Sequence, residues 1–299
     1  MSIKKFLKKK INNLFSINKI LENQNEIKKI LGRIEFNSRL EKKLKRINDY
    51  EFKIFSQFGE DGLINYLINN LNITSKKFVE FGVENYEEAN TRFLLENNDW
   101  TGLIFDSSKE NLDYIKNQNY YWKYDLTASC EFITKENINS LITKNNFNDE
   151  IGLLSIDVDG NDYWIWKSIE AINPNIVIIE FNARLGIDKS ITVPYKEGFN
   201  RREEHYSNIY YGASLTALYK LGISKGYELV CTNKNSNNAF FVKSNILKDV
   251  KNDLIKPKKP NECNHAPSFN ESLDINGKLN KLNKVQEKEI LEKLDFLEV

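Results

Sequence analysis

The sequence predicts an α/β fold on one doubly wound sheet of seven strands, mostly parallel. An antiparallel hairpin strand closes its C-terminal end, and a helical extension precedes it. Three observations predict this. First, short and nearly continuous apolar runs alternate with segments of helical period, the pattern of a parallel sheet covered on both faces. Second, five runs end in an acid: Phe78-Val79-Glu80, Leu103-Ile104-Phe105-Asp106, Trp122-Lys123-Tyr124-Asp125, Leu153-Leu154-Ser155-Ile156-Asp157 and Val177-Ile178-Ile179-Glu180. In neighbouring parallel strands these carboxylates share one edge, and open α/β folds bind ligands outside that edge. Third, only a short turn at 233–238 separates the last two runs, so one of them runs antiparallel.

The elements follow in order. Glu60–Leu71 reads as a helix and Lys77–Phe81 as the first strand. Ala89–Asn98 is a helix before the strand Thr101–Asp106, and Lys109–Asn117 a helix before a strand at Tyr120–Tyr124. Ile138–Lys144 is helical, Ile151–Ile156 is a strand without a charge, Tyr163–Ala171 is a short helix and Asn175–Phe181 a further strand. Residues 183–211 break the rhythm with Gly186, Pro194, Gly198 and the cluster Arg201-Arg202-Glu203-Glu204. A stretch this long without a period reads as a functional loop or lid. Ala213–Ser224 is helical, and Tyr227–Cys231 and Ala239–Val242 form the hairpin.

The length of 299 residues fits one large domain with appendages: a basic helical extension at 1–50, the α/β domain at 51–245, and a polar tail at 246–299 with a helix at Lys284–Leu297. Charge divides unevenly. Residues 1–50 carry fourteen Lys and Arg against five Asp and Glu, a net +9, which leaves −8 on the rest. An acidic body without basic, aromatic-interleaved patches at the sheet edge excludes nucleic acid as substrate. Cys130, Cys231 and Cys263 lie far apart with no CxxC pair, which indicates neither a disulfide framework nor a zinc knot and fits a reducing cytoplasm. Lys8-Lys9-Lys10 interrupts any signal-peptide core, and no run approaches the length of a membrane span.

Within 1–50, Ile3, Phe6, Leu7, Leu14, Ile17, Ile20, Leu21, Ile27, Ile30, Leu31 and Ile34 recur at three- and four-residue steps, the period of one or two amphipathic helices. Lysines beside an apolar stripe suit peripheral contact with an anionic membrane surface. A helix that packs on the body or pairs with a second copy is the commoner use of such a stripe, and Gln24 on it suits a helix seam.

Two constellations carry chemistry. In Glu80-Phe81-Gly82-Val83-Glu84-Asn85, a glycine just past the first strand admits close ligand approach, and Asp106 at the next strand end can accept both ribose hydroxyls. Glu84 and Glu87 stand where the later glycines of GxGxxG would be and would repel a pyrophosphate. S-adenosylmethionine, with ribose and adenine but no phosphate, tolerates this acidic approach. Asp106 and Asp125 each also fit a helix N-cap.

Glu80-x-Gly82, Asp106-Ser107 with Asn111-Leu112 in the next helix, and the seven strands ending in an antiparallel hairpin resemble the Rossmann-like class I S-adenosylmethionine-dependent methyltransferases. Ser56-Gln57-Phe58-Gly59-Glu60-Asp61-Gly62 and Ser155-Ile156-Asp157-Val158-Asp159-Gly160 resemble their FkbM-like branch, whose members methylate sugar or polyketide hydroxyls. The resemblance covers about residues 55–243. It implies S-adenosylmethionine as cofactor, with Glu80 and Gly82 at the methionine end, Asp106 at the ribose and Asp125 near the adenine. It adds Gln57, Ser107, Leu126 and Asp157 to the cofactor-binding set. Glu84 and Tyr86 depart from the branch's glycine-rich GxGxG stretch.

The second constellation is Asp157-Val158-Asp159-Gly160-Asn161-Asp162 with Glu180 and Asn182 after the next strand. Three readings stand open. Metal-dependent O-methyltransferases of this fold resemble the arrangement, with Asp157, Glu180 and Asn182 holding Mg²⁺ or another divalent cation. Without metal, Asp157 or Asp159 serves as general base or positions the acceptor. In the third reading the segment is a turn and cap with solvated acids. His205, in the lid, titrates in the useful range and is a further candidate base. Tyr206, Tyr210 and Tyr211 either stack on a sugar or fill the core, Trp164 and Trp166 pack on the sheet, and His265 in the tail is assigned nothing.

The expected activity is therefore O-methylation of a hydroxyl on a carbohydrate or surface-glycan-related acceptor. The rival is a non-catalytic protein of this fold that acts in assembly at a membrane surface.

Overall fold

The computed structural model describes residues 17–263 and 271–299. His265 and the stripe positions Ile3, Phe6, Leu7 and Leu14 lie outside the described residues. The chain divides into two compact units, one ending at Leu44 and one spanning Lys45–Val299. The described part of the first unit is the helix α1, Ile17–Glu41. Ile20, Ile27, Leu31 and Ile34 stand exposed along one of its sides, while Lys29 and Phe36 are buried. Among the described residues no helix is long and apolar enough to cross a membrane.

In the second unit, α2 (Glu60–Asn70) precedes β1 (Lys77–Phe81), then α3 (Arg92–Asn98), β2 (Thr101–Asp106) and α4 (Lys109–Lys116). Next come α5 (Asn119–Lys123), β3 (Leu126–Cys130), α6 (Ile138–Lys144), β4 (Asp149–Ile156), α7 (Asp162–Ser168) and β5 (Ile172–Glu180). The 183–211 segment holds a short strand β6 (Ile191–Thr192) and one helical turn α8 (Arg201–Glu204). After it stand α9 (Leu215–Ser224), β7 (Tyr227–Thr232) and β8 (Asn238–Lys243). The single turns α10 (Ser244–Leu247) and α11 (Pro260–Cys263) lead to α12 (Lys284–Leu291) and β9 (Leu297–Glu298).

The main sheet has the order β3-β2-β1-β4-β5-β8-β7. Strands β1 to β5 pair in parallel, and β8 runs antiparallel to both β5 and β7. This is the doubly wound, seven-stranded sheet the sequence predicts. Its central strands are dry because helices cover both faces: Phe78, Val79, Leu153, Leu154, Ile178 and Ile179 are fully buried. On one face Trp166 of α7 packs its ring 4.9 Å from that of Phe241. Trp164 is half-buried and donates from Nε1 to the Val193 carbonyl at 2.9 Å, tying α7 to the lid segment.

Two expectations are corrected. Tyr120–Tyr124 is not a strand: residues 119–123 form α5, with Tyr120 buried and Trp122 exposed, and sheet pairing begins only at Gly102↔Leu126. The true edge strand, Leu126-Thr127-Ala128-Ser129-Cys130, buries one face and wets the other, so it lacks the apolar run that marks a central strand. The predicted terminal helix Lys284–Leu297 stops at Leu291. The chain then extends so that β9 pairs antiparallel with β6.

Candidate active site

The strand order reverses between β1 and β4, so the switch point lies outside the ends of these two strands, where open α/β sheets form their ligand crevice. A cleft of about 620 Å³ occupies that place, within the range of small-molecule sites. Phe81 pairs with Ile156, so Gly82 and Asp157 emerge side by side. Gly82 has a φ of +72°, and a β-carbon there would fall 1.7 Å from the Asp157 carbonyl oxygen. Glycine is thus required by the backbone at the end of β4.

Glu80 lines the cleft but is buried and already bonded. Its carboxylate accepts from the backbone N–H groups of Asn90 (2.9 Å) and Thr91 (3.2 Å) and from the Thr91 hydroxyl. It therefore anchors the loop between β1 and α3, and burial pushes its carboxyl upward. The acids of Ser56–Gly62 act the same way. One Asp61 oxygen accepts the N–H groups of Ile54, Phe55 and Ser56 and the Ser56 hydroxyl, all within 2.9 Å. Burial still pushes the Asp61 carboxyl up to about 6. Glu60 accepts from Asn233 of the β7–β8 turn, from Asn238 at the start of β8 and from the N–H groups of Phe58 and Gly59. The product of this wiring is the position of Gln57 and Phe58 on the cleft wall.

On the β2 side Asp106 and Ser107 line the cleft. Asp106 Oδ1 accepts the Ser108 N–H at 2.8 Å and the Asn111 amide at 3.1 Å, while Ser108 supplies the α4 N-cap. Asp125 and Leu126 lie elsewhere. Residue 125 precedes β3, its carboxylate accepts from Thr101 at the start of β2, and both mark the opposite, amino-terminal edge of the sheet. The end of β3 brings Glu131, Phe132 and Ile133 to the cleft instead. Sequence reasoning missed them because the strand was misplaced by one element. A small-residue edge strand followed by Glu-Phe was the signal available.

The ends of β4 and β5 gather acids. Asp157, Asp162 and Glu180 each offer a carboxylate oxygen, and these oxygens all lie within 4.8 Å of one another. Asp162 is spent in part on the turn, accepting the N–H groups of Val158 (2.9 Å) and Gly160 (3.0 Å). Glu180 is 7% exposed, and its Oε2 is buried without a hydrogen-bond partner. Burial, then the neighbouring carboxylates, drive the Asp157 and Glu180 carboxyls well above the ordinary range, and burial pushes Asp162 up to about 6. The Asn182 amide is already committed elsewhere. It donates to the Ile209 and Tyr211 carbonyls and its oxygen accepts the Arg184 N–H, so it braces the lid segment.

Asp159 sits in the left-handed region (φ 55°), exposed, and pairs with Arg201 Nη1 at 3.1 Å. Arg201 in turn lies over the Tyr211 ring, 5.2 Å from its centroid. Tyr211 lines the cleft, as do Arg201 and Arg202, which the sequence marked only as part of a charged cluster in the loop. His205 is not among the lining residues. Its Nδ1 faces the Ser207 hydroxyl at 2.6 Å, and partial burial lowers its imidazole pKa. Of the three tyrosines, Tyr210 and Tyr211 are buried and Tyr206 is exposed.

The family described as "Methyltransferase FkbM domain" matches residues 32–195, more than half of the chain. No curated protein matches the chain. Among solved structures it is similar to an S-adenosylmethionine-dependent methyltransferase from Clostridium acetobutylicum at 11% identity, covering 62% of this chain and 90% of that one with a TM-score of 0.39. It is also similar to the N-terminal domain of EvdMO1 with SAH bound, at 12% identity, 70% and 94% coverage and a TM-score of 0.41. TehB from Haemophilus influenzae stands at 10% identity, 62% and 68% coverage and 0.34. With TM-scores below 0.5 these three likenesses bear no weight, and the assignment rests on the family match.

Proposed function

Because the chain belongs to the FkbM family of methyltransferases, we propose that it transfers the methyl group of S-adenosylmethionine to a hydroxyl of a carbohydrate or surface-glycan-related acceptor. The observation that carries the reading is the pair Asp157 and Glu180 lining the cleft with Asp162 beside them, and one Glu180 oxygen buried and unbonded. A carboxylate held above its ordinary pKa is a better proton acceptor, and a catalytic base works best near the operating pH.

In this reading the cleft splits in two. Gln57, Glu80 and Gly82 border the methionine end, and Asp106 with Ser107 receives the ribose through its remaining oxygen. Phe132 and Glu131 take the adenine, in place of Asp125 and Leu126. Asp157 stands between the halves, where the sulfonium charge compensates its burial. The acceptor oxygen attacks the methyl carbon in line, a C–O bond forms as the C–S bond breaks, and S-adenosylhomocysteine leaves. The acceptor proton passes to Asp157 or Glu180, with Asp159 and Arg201 positioning the sugar. His205, facing Ser207, takes no part.

The same oxygens fit a divalent cation: Asp157, Glu180 and Asp162 would hold it, Asp162 replacing Asn182 in the ligand set. Such an ion supplies a lowered pKa at the acceptor hydroxyl. The orphaned Glu180 oxygen favours this variant, and the two backbone bonds of Asp162 weigh against it. For residues 1–50 we keep peripheral membrane contact or self-pairing in the cytoplasm, tested by liposome flotation and sedimentation with and without them.

The deciding experiment is calorimetry with S-adenosylhomocysteine, followed by incubation of methyl-labelled S-adenosylmethionine with a panel of mono- and oligosaccharides. Micromolar binding and label on a sugar oxygen are expected. Absence of binding would refute the enzyme reading, and label only on amines would refute the acceptor class.

A further inference from the structure

The acceptor half of the cleft is walled by Phe199, Arg201, Arg202, Tyr211 and Glu271, all outside the segment that matches the family. The lid segment that supplies most of this wall is held from behind by the end of the chain. Leu273 N–H donates to the Ser207 carbonyl at 3.0 Å, and the Tyr210 hydroxyl donates to the Asp295 carbonyl. Strands β6 and β9 pair, and Val299 N–H donates to the Ser190 carbonyl at 2.9 Å. Arg184, just inside the lid segment, forms an ion pair with Glu287 at 2.8 Å, with side chains only 5% and 14% exposed. The same guanidinium donates to the Glu271 carbonyl at 3.1 Å, which fixes the residue that enters the cleft.

An aromatic series transmits this hold to the acids. The Phe296 ring lies 5.2 Å from Tyr210 edge-on, and Tyr210 lies 6.2 Å from Phe199. Phe199 sits on Gly160, where a β-carbon would come within 2.3 Å of the ring. Gly160 is the residue between Asp159 and the turn that Asp162 closes. Val193, Phe199, Tyr210 and Tyr211 form a small core of their own, completed by Leu294 and Phe296. Removing Phe296 takes away one of two side chains by which the chain end completes that core, and small satellite cores depend on each member.

We infer that residues 271–299 are a strap that sets the acceptor wall against the acid triad, with Phe296 and the Arg184–Glu287 pair as its positioning residues. The inference rests on the proposed function only for calling this half of the cleft the acceptor side. Among the described residues no hydrogen bond, ion pair or ring contact joins 271–299 to Gln57, Asp106 or Phe132, so the strap governs acceptor fit and leaves cofactor binding alone.

Hydrogen–deuterium exchange on the full chain, with S-adenosylhomocysteine calorimetry alongside, tests this. Phe296→Ala is expected to speed exchange over residues 199–211 at least tenfold, with the cofactor-product Kd within threefold of the parent and Phe296→Leu restoring slow exchange. Exchange within twofold of the parent overturns the strap, and so does a Kd that weakens in step with exchange, since the whole fold would then have loosened. If Phe296→Ala does not yield folded protein, Glu287→Gln gives the same readings with a smaller structural change. A parent chain that binds no S-adenosylhomocysteine removes the methyltransferase reading, while the exchange comparison still decides the strap.

Discussion

Gly82 and Asp157 meet so closely that the α-carbon of one leaves no room for a β-carbon beside the carbonyl of the other: the gap would be 1.7 Å. The loop after β1 is thereby locked to the end of β4 that carries Asp157. Gly82→Ala must both move β4 or the loop and hold a left-handed φ, so it is expected to cost about 3 kcal/mol or more of stability. Urea denaturation measures this, and a loss under about 1 kcal/mol would mean the two backbones are further apart.

Phe132→Ala is expected to weaken S-adenosylhomocysteine about tenfold, by loss of one stacking face worth about 1–3 kcal/mol. Asp125→Ala, at the opposite edge, is expected to leave Kd within twofold. Calorimetry on the pair decides where the adenine lies, and the reverse result would return it to the start of β3.

The acids on the acceptor side carry a conflict between stability and function. Burial and mutual repulsion raise the Asp157 and Glu180 carboxyls, so neutralising one relieves the other. Asp157→Asn and Glu180→Gln are each expected to lower kcat at least about 100-fold while stabilising the fold at pH 7 by about 1 kcal/mol. Single-turnover kinetics and thermal unfolding report the two effects. A variant that loses both stability and activity would mark the residue as structural.

Stability should also fall as pH rises. Asp61 and Asp162 stand at about 6 in the fold against about 3.9 unfolded. A raised folded pKa means the native state binds the proton more tightly, so their contribution is full below about pH 4 and is lost between about pH 4 and 6. The chain is expected to be more stable near pH 5 than at pH 7, by about 1 kcal/mol for each of the two groups. Chemical denaturation across this range checks the slope, and a rise in stability toward pH 7 would contradict it.

Metal dependence has a direct test. If Asp157, Asp162 and Glu180 share a divalent cation, EDTA is expected to reduce activity at least about tenfold and Mg²⁺ or Mn²⁺ to restore it. Activity indifferent to the chelator leaves the carboxylates as the proton acceptors.

Much of this molecule was legible in its residues. Apolar runs fixed by burial on both faces gave β1, β2, β4 and β5, and the acids ending them gave Glu80, Asp106, Asp157 and Glu180 at one edge. These are local signals: a dry central strand needs a continuous run, and the residue that follows it must stand at the strand's end. The edge strand β3 gave no such signal, because one of its faces is wet, and so Asp125 was placed at the wrong edge and Glu131 and Phe132 were overlooked. The turn after β4 folds Asp162 back toward Asp157, while the Asn182 amide is taken by carbonyls 27 and 29 positions away, which local pattern does not reveal. Packing over long separations decided the acceptor wall: Arg184 meets Glu287 across 103 positions and Tyr210 meets Asp295 across 85. The sequence by itself determined the sheet and the acid ending of its central strands. Which side chains converge on the cleft was decided by tertiary structure, because convergence depends on how distant segments bury one another, and burial is a property of the folded whole.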